Sequence, residues 1–98
     1  MAVAITPDGK SVYVANNGDG TVSQYEIGAG EELSPKSPAT VSTGVGPNGM
    51  AVSPDGQSIY VANLGGTVSQ FTVGAGGGLV AKTPATVPSS STSVPEAR

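Results

Sequence analysis

The amino-acid sequence predicts an all-β protein made of two four-stranded antiparallel sheets. Glycine and proline, which break helices, account for 15 and 8 of the 98 residues, and only 11% of residues are charged. The strand formers valine and threonine are also frequent. Most informative, the stretch "TPDGKSVYVANN" at 6–17 returns as "SPDGQSIYVAN" at 53–63. A chain in which one turn-and-strand pattern occurs twice is predicted to contain two copies of one structural unit.

The repetition extends well beyond this stretch. When 4–41 is aligned with 51–87, with one gap opposite Asp19, roughly two-thirds of the paired positions are identical and the period is about 47 residues. The identities fall in the ordered blocks "PDG", "YVAN", "GTVSQ", "GAG" and "PATV". The sequence therefore predicts one unit at 1–43 and a second at 44–87, and 88–98 is expected to be a disordered tail.

Each unit is predicted to contain four short strands. They are expected near Val3–Thr6, Ser11–Asn16, Thr21–Ile27 and Ala39–Thr43, and again near Met50–Ser53, Ser58–Asn63, Thr67–Val73 and Ala85–Val87. The first two strands are joined through Thr6-Pro7-Asp8-Gly9. Proline suits the second position of a type I turn and glycine the fourth, so this stretch predicts a hairpin.

The second strand of each unit is apolar or small on both of its faces. In the first copy Val12 and Val14 lie on one face, and Tyr13 and Ala15 lie on the other. A sheet with one wet face would alternate apolar and polar residues instead. The pattern predicts sheets packed between similar sheets, as in the blades of a β-propeller. A two-sheet sandwich remains the alternative.

The stretches "PDGKSVYVANNGDGTVSQYEIG" and "PDGQSIYVANLGGTVSQFTVG" resemble the YVTN-type β-propeller repeats, in particular those of the bacterial lactonase family that includes 6-phosphogluconolactonases. The resemblance covers residues 1 to about 87 and implies part of a propeller, because such rings close with about seven blades. Related repeats also occur in surface and secreted proteins. The resemblance therefore specifies the blade and leaves the reaction open.

The composition argues against several classes of function. The four cations are Lys10, Lys36, Lys82 and Arg98, the net charge is −3, and a nucleic-acid surface is not expected. No apolar run reaches the length of a membrane helix, and the first residues do not read as a signal peptide. Without cysteine the compartment is undecided. A lactonase would be expected in the cytoplasm and an adhesion repeat outside the cell.

Polar residues are predicted to gather on one rim of the propeller. The turns between the second and third strands share that rim with the connections between blades. The residues that this arrangement makes candidates for ligand binding are Asn16, Asn17, Asp19, Asn48 and Asn63. Asparagine is equally common where turns need side-chain hydrogen bonds. The structural interpretation is therefore favoured for the whole set, and the recurrence of Asn16 and Asn63 at one repeat position adds to it for these two.

The remaining acidic residues are expected to be structural or solvated. The stretch "NNGDG" lacks the leading Asp and the distal Glu of a calcium loop, so no metal site and no cofactor are predicted. Asp8 and Asp55 are predicted turn residues on the opposite rim. Glu31 and Glu32 are predicted to be solvated on that same rim.

The sequence assigns no catalytic residue. Lactone hydrolysis needs a base to activate water and a donor or cation for the developing oxyanion, and without histidine the Ser-His-Asp arrangement is impossible. The family resemblance implies Arg, Glu or His side chains in the channel. The one arginine, Arg98, stands in the tail, so none of these roles can be placed on a matching position.

Three functions are compatible with these observations. The favoured one is a two-blade fragment of a lactonase-family propeller, a structural or ligand-binding scaffold without catalysis of its own, with a small sugar lactone as a candidate ligand. The alternatives are part of a lactone hydrolase whose catalytic residues lie on other blades, and a secreted or surface adhesion repeat. The expected partners are further blades, or copies of the chain that self-associate into a ring of three or four.

Overall fold

The computed structural model describes residues 2–89, which form eight strands in two antiparallel sheets. The first sheet contains β1 (Val3–Ile5), β2 (Ser11–Asn16), β3 (Thr21–Ile27) and β4 (Leu33–Ser42), and the second contains β5 (Pro47–Val52), β6 (Ser58–Asn63), β7 (Thr67–Val73) and β8 (Leu79–Pro88). In both sheets the strands lie side by side in chain order. The predicted all-β fold with two four-stranded sheets is confirmed.

The tail expected over 88–98 lies outside the described residues from 90 onward, and Pro88 is the last residue of β8. Within residues 2–89 no helix is long and apolar enough to cross a membrane.

The repeated "PDG" motif closes the first hairpin of each sheet. Gly9 N donates to Thr6 O at 2.9 Å, and Gly56 N donates to Ser53 O at 2.8 Å in the second sheet. Both glycines have positive φ angles, 73° at Gly9 and 74° at Gly56, which a residue with a Cβ rarely adopts. The turns are therefore fixed by local chemistry, as predicted.

The fourth strands are longer than the sequence predicts. β4 begins at Leu33 where Ala39 was expected, and β8 begins at Leu79 where Ala85 was expected. Both are edge strands of their sheets, where a proline such as Pro35 need not remove a ladder hydrogen bond. A shift of register between Ser23 and Tyr25 accommodates the extra residues of β4.

The hydrophobic core lies between the two sheets. Its buried members are Tyr13, Val22, Ile59, Val61, Phe71 and Leu79. Tyr13 comes from the face of β2 that also carries Ala15, whereas Ile59 of β6 corresponds in the repeat to Val12 on the other face. The face of the first sheet that carries Tyr13 therefore packs against the opposite face of the second sheet, and successive blades of a propeller stack in this way.

A buried polar contact joins the two sheets beside this core. Gln24 is fully buried in β3, and its Nε2 donates to Pro38 O of its own sheet at 2.8 Å. Its Oε1 accepts Leu79 N of the second sheet at 2.8 Å. The Tyr13 hydroxyl donates to Gly77 O in the β7–β8 turn. Because buried polar groups need partners, these bonds fix the position of the β7–β8 turn on the first sheet. We call the two bonds between the sheets, from Tyr13 to Gly77 and from Leu79 to Gln24, the interblade clasp.

Replacing Tyr13 with leucine is expected to destabilise the chain far more than the matched change at Tyr60. Tyr13 is 0% exposed and Tyr60, at the same repeat position, is 39% exposed. Tyr13→Leu removes an aromatic ring from the core and leaves Gly77 O without its donor, a loss of about 3 kcal/mol, whereas Tyr60→Leu should lose less than about 1 kcal/mol. Urea denaturation followed by circular dichroism at low protein concentration measures both. Equal losses would contradict the assignment of the core.

Candidate functional site

Three turns of the chain meet on one rim. They are the β2–β3 turn at 16–20, the β4–β5 connection at 43–46 and the β6–β7 turn at 63–66. Thr43 N donates to Gly20 O at 2.9 Å, and Gly65 N donates to Val45 O at 3.0 Å. The connection between the sheets is therefore held between the two turns. The sequence predicted this connection at 46–49, but β5 already begins at Pro47, so Asn48 lies in a strand and not in the connection.

Two of the five rim candidates hold strands together. Asn16 Nδ2 donates to Thr21 Oγ1 at 3.1 Å and to Ser23 Oγ at 2.8 Å. Asn63 Nδ2 donates to Thr67 and Ser69 at 3.0 and 2.9 Å in the same arrangement. Each amide nitrogen therefore donates both of its hydrogens to side chains of its own sheet. We call each of these sets an asparagine clamp.

The asparagine clamp at Asn63 also binds the β4–β5 connection through Ser69, a role that the sequence did not predict. Ser69 Oγ accepts Gly44 N at 3.2 Å. A Cβ at Gly44 would lie 2.8 Å from both Asn63 Nδ2 and Thr67 Oγ1, so glycine permits this close approach. The buried Asn63 Oδ1 receives no hydrogen bond from residues 2–89. The only signal in the sequence was the recurrence of "GTVSQ", which does not show where the serine points.

Two other candidates, Asn17 and Asp19, face a common cavity on this rim. The cavity has a volume of about 380 Å³ and is lined by Asn17, Gly18, Asp19, Gly20, Ser42, Thr43, Gly44, Val45 and Gly46. Asn17 and Asp19 are both exposed. The fifth candidate, Asn48, is exposed at a register shift in β5 and does not line this cavity.

The positive charges of residues 2–89 lie on the opposite rim. Lys10 belongs to the β1–β2 turn, Lys36 Nζ donates to Gly76 O at 2.9 Å, and Lys82 Nζ donates to Thr72 Oγ1 at 3.1 Å. The cavity that contains Asp19 therefore has a negative side chain and no lysine from the described part of the chain.

The aspartates of the opposite rim are turn residues, as predicted. Asp8 Oδ1 accepts the Thr6 hydroxyl at 2.6 Å and Lys10 N at 2.9 Å, and these hydrogen bonds lower the pKa of Asp8. The Ser53 hydroxyl and Gln57 N lower the pKa of Asp55 in the same way. Between residues 2 and 89 no cluster of three acidic, histidine or cysteine residues could hold a metal ion.

Stacked four-stranded antiparallel units joined from outer strand to inner strand define consecutive blades of a β-propeller. The family described as "Lactonase, 7-bladed beta-propeller" matches residues 2–96, and the chain belongs to this family. No curated protein matches the chain.

Several solved structures contain the same two-blade arrangement. A functionally unknown protein from Desulfotomaculum acetoxidans is 29% identical, with a TM-score of 0.70 over 82% of this chain and 25% of its own. A candidate 6-phosphogluconolactonase from Bacteroides fragilis is 30% identical, with a TM-score of 0.67 over 79% of this chain and 24% of its own. The periplasmic gluconolactonase of Pseudomonas aeruginosa is 30% identical, with a TM-score of 0.69 over 79% and 23%. The chain spans about a quarter of the length of each.

The asparagine clamp predicts a difference between two asparagines of the rim. Asn63→Ala removes two hydrogen bonds and leaves the Thr67 and Ser69 hydroxyls without their donor, so it should lower the free energy of unfolding by about 1–3 kcal/mol. Asn17→Ala alters an exposed side chain and should change it by less than about 0.5 kcal/mol. Urea denaturation of both variants tests this. A larger loss for Asn17→Ala would show that the clamp is not structural.

The turn aspartates predict a decline of stability in acid. Because the pKa values of Asp8 and Asp55 are lowered in the folded state, their stabilisation is present above the unfolded value of about 3.9 and disappears as the pH falls through the folded values. Asp8→Asn/Asp55→Asn keeps an acceptor oxygen and removes the titration. The dependence of the unfolding free energy on pH below about 4 should be shallower in this double variant than in the parent. Parallel curves would contradict the assignment.

Proposed function

We propose that the chain is a structural scaffold that supplies one wall of a ligand-binding site and carries no catalysis of its own. The observation that carries this proposal is the cavity where Asn17 and Asp19 lie beside the connection at 43–46. The asparagine clamp at Asn63 fixes that connection through Ser69 and Gly44. The rim thus offers exposed polar side chains on a backbone held in place by buried ones.

A small uncharged polyhydroxylated molecule, such as a sugar lactone, suits this wall best. The Asp19 carboxylate accepts hydrogen bonds from hydroxyl groups, and the Asn17 amide both donates and accepts. A phosphorylated sugar is disfavoured, because Asp19 would repel the phosphate and the lysines of residues 2–89 lie on the other rim. The likeness to a gluconolactonase at 30% identity supports the choice of ligand class.

Absence of catalysis is inferred from how the charges are separated. Lactone hydrolysis needs a base together with a cation or hydrogen-bond donor at the developing oxyanion. Asp19 is the one carboxylate residue that lines the cavity, and Lys10, Lys36 and Lys82 are distant from it by their place in the fold. Within residues 2–89 this cavity places a base beside neutral donors such as the Asn17 amide, and beside no cation, so we infer that a developing oxyanion would be too weakly stabilised for catalysis.

The second candidate function is a share in a lactone hydrolase. Membership of the lactonase family and the likeness to the proteins of Bacteroides fragilis and Pseudomonas aeruginosa favour it. In this case other blades would supply the cationic group, and Asn17 and Asp19 would line part of the substrate site. The two functions differ in whether Asp19 takes part in turnover once other blades complete the ring, because neither function predicts turnover by the 98-residue chain alone.

Binding is tested on the isolated chain with glucono-1,5-lactone. Amide resonances of Asn17, Asp19 and 43–46 should shift in ¹⁵N-labelled protein, and Asp19→Ala should weaken binding about fivefold through loss of a charged hydrogen-bond acceptor. Glu26→Ala, which changes an exposed acidic residue near the end of β3 that lies away from this rim, is the matched control and should bind normally. Shifts confined to the opposite rim would contradict the proposed site.

Hydrolysis is tested on the same samples by following acid release. The expected rate equals that of the lactone in buffer alone. Turnover above this background that is lost in Asp19→Asn would overturn the proposal that the chain carries no catalysis of its own.

A further inference from the structure

The outer face of the second sheet exposes the side chains that the first sheet uses to bind its neighbour. Tyr60 and Ala62 of β6 occupy the repeat positions of Tyr13 and Ala15, which are buried between the sheets. Tyr60 is 39% exposed, and Ala62 is exposed as well. We call this surface the donor face.

Gln70 on the donor face has the hydrogen bond that orients its buried counterpart. Gln70 Nε2 donates to Pro84 O at 2.9 Å, just as Gln24 Nε2 donates to Pro38 O at 2.8 Å. Gln24 thereby directs its Oε1 toward the second sheet, where it accepts Leu79 N. Gln70 lies opposite Tyr60 in the β6–β7 pairing, so its Oε1 is held on the donor face, where no residue of 2–89 donates to it. This half of an interblade clasp is formed in advance of any partner.

The outer face of the first sheet exposes the complementary half; we call it the acceptor face. Its β3–β4 turn, Gly28 to Leu33, corresponds to the β7–β8 turn, Gly74 to Leu79, which receives Tyr13 and Gln24. Leu33 is 53% exposed, whereas Leu79 is 8% exposed.

A groove marks the place on the acceptor face where a neighbouring sheet would fit. Its volume is about 520 Å³, and its apolar wall comes from Ile5, Val12, Ile27 and Leu33. The corresponding place on the second sheet is occupied by the first sheet, since a Cβ at Gly56 would lie 3.2 Å from Pro7 Cδ. The groove is thus the unfilled counterpart of a contact that exists within the chain.

We propose that the donor face of one chain binds the acceptor face of a second copy, head to tail. In this contact the Tyr60 hydroxyl donates to Glu31 O, and Leu33 N donates to Gln70 Oε1. Both pairs repeat the interblade clasp. The proposal goes beyond the rim site and does not rest on it, because neither face includes Asn17 or Asp19.

Charge complementarity identifies a second copy as the occupant. Lys36 Nζ bonds Gly76 O across the contact within the chain, and Lys82 holds the same repeat position on β8, beside the donor face. The turn that it would meet carries Glu31 and Glu32 where the second sheet has Gly77 and Gly78. Copies of this chain therefore bring an ammonium group to two carboxylates.

The first sheet has Glu31 at the repeat position where the second sheet has Gly77, and this difference is compatible with the proposed contact. Glu31 has a φ of 64° and Gly77 a φ of 84°, so the two turns share the left-handed conformation. A Cβ at Gly77 would approach Ser11 Oγ and Lys36 Nζ too closely. Their counterparts in a second copy, the Ser58 hydroxyl and the Lys82 ammonium group, must therefore rotate away to admit the Glu31 side chain.

A contact between unlike faces has a consequence for the number of copies. Such contacts propagate until a rotation closes them into a ring. Copies of two blades cannot give the seven blades of the family, but three copies give six and four give eight, both within the observed range of propellers. We therefore expect a closed trimer or tetramer.

The experiment is a charge exchange on the 98-residue chain, with mass measured by light scattering after size exclusion. The parent should have three or four times its mass of 9.5 kDa. Lys82→Glu alone, and Glu31→Lys/Glu32→Lys alone, should each associate about tenfold more weakly, because each sets like charges against one another. The combined variant Lys82→Glu/Glu31→Lys/Glu32→Lys should recover the parent mass, since every contact between its copies pairs opposite charges in a trimer as well as in a tetramer.

Matched controls separate this contact from effects of net charge and folding. Asn48→Glu and Asn48→Lys change an exposed residue outside both faces and should associate like the parent. Circular dichroism must show the same folded spectrum for all variants. Gln70→Met, which removes the acceptor and keeps the charge, should weaken association about fivefold. A folded parent of monomeric or dimeric mass, or a combined variant that fails to recover, overturns the proposal.

Discussion

The contact between the two sheets is the constraint on which the rest of the structure depends. A glutamine amide buried as completely as Gln24 would be strongly destabilising without partners, and each end of it is satisfied by a different sheet. The apolar core around Ile59 supplies most of the attraction, but it has no direction. The amide and the Tyr13 hydroxyl select one alignment of the sheets among those that the core alone would allow.

The rim takes its shape from this alignment. The connection between the sheets is bonded on one side to Gly20 and on the other to Gly65, so its course depends on the spacing of the two sheets. The cavity beside Asn17 is formed by a turn of the first sheet and by that connection. A change in the core should therefore alter the cavity even where no lining residue is changed.

The repeat made the fold predictable from the sequence. Features that depend on contacts between distant segments could not be predicted. The bounds of β2, β3, β6 and β7 were predicted correctly, because their Val-, Ile- and Tyr-rich pattern is local. The start of β4 at Leu33 depends on its position at a sheet edge, which local preferences do not contain. The rim position of the asparagines followed from the turns. Whether an amide turns inward, as in Asn63, or faces a cavity, as Asn17 does, depends on side-chain direction and on Gly44 of another segment.

The two copies keep the tyrosine and glutamine of the interblade clasp and differ at several turn residues, and this separates architecture from specificity. The strand residues of the interblade clasp are the same in both copies: a tyrosine lies on β2 and on β6, and a glutamine lies on β3 and on β7. The differences at turns include Asn17 and Asp19 on one rim, and Glu31 and Glu32 on the other. Substitution at a turn leaves the buried contacts intact, so charge can vary there without loss of the blade. Recognition by this chain, of a ligand on one rim or a partner near the other, should therefore be set by these few turn residues.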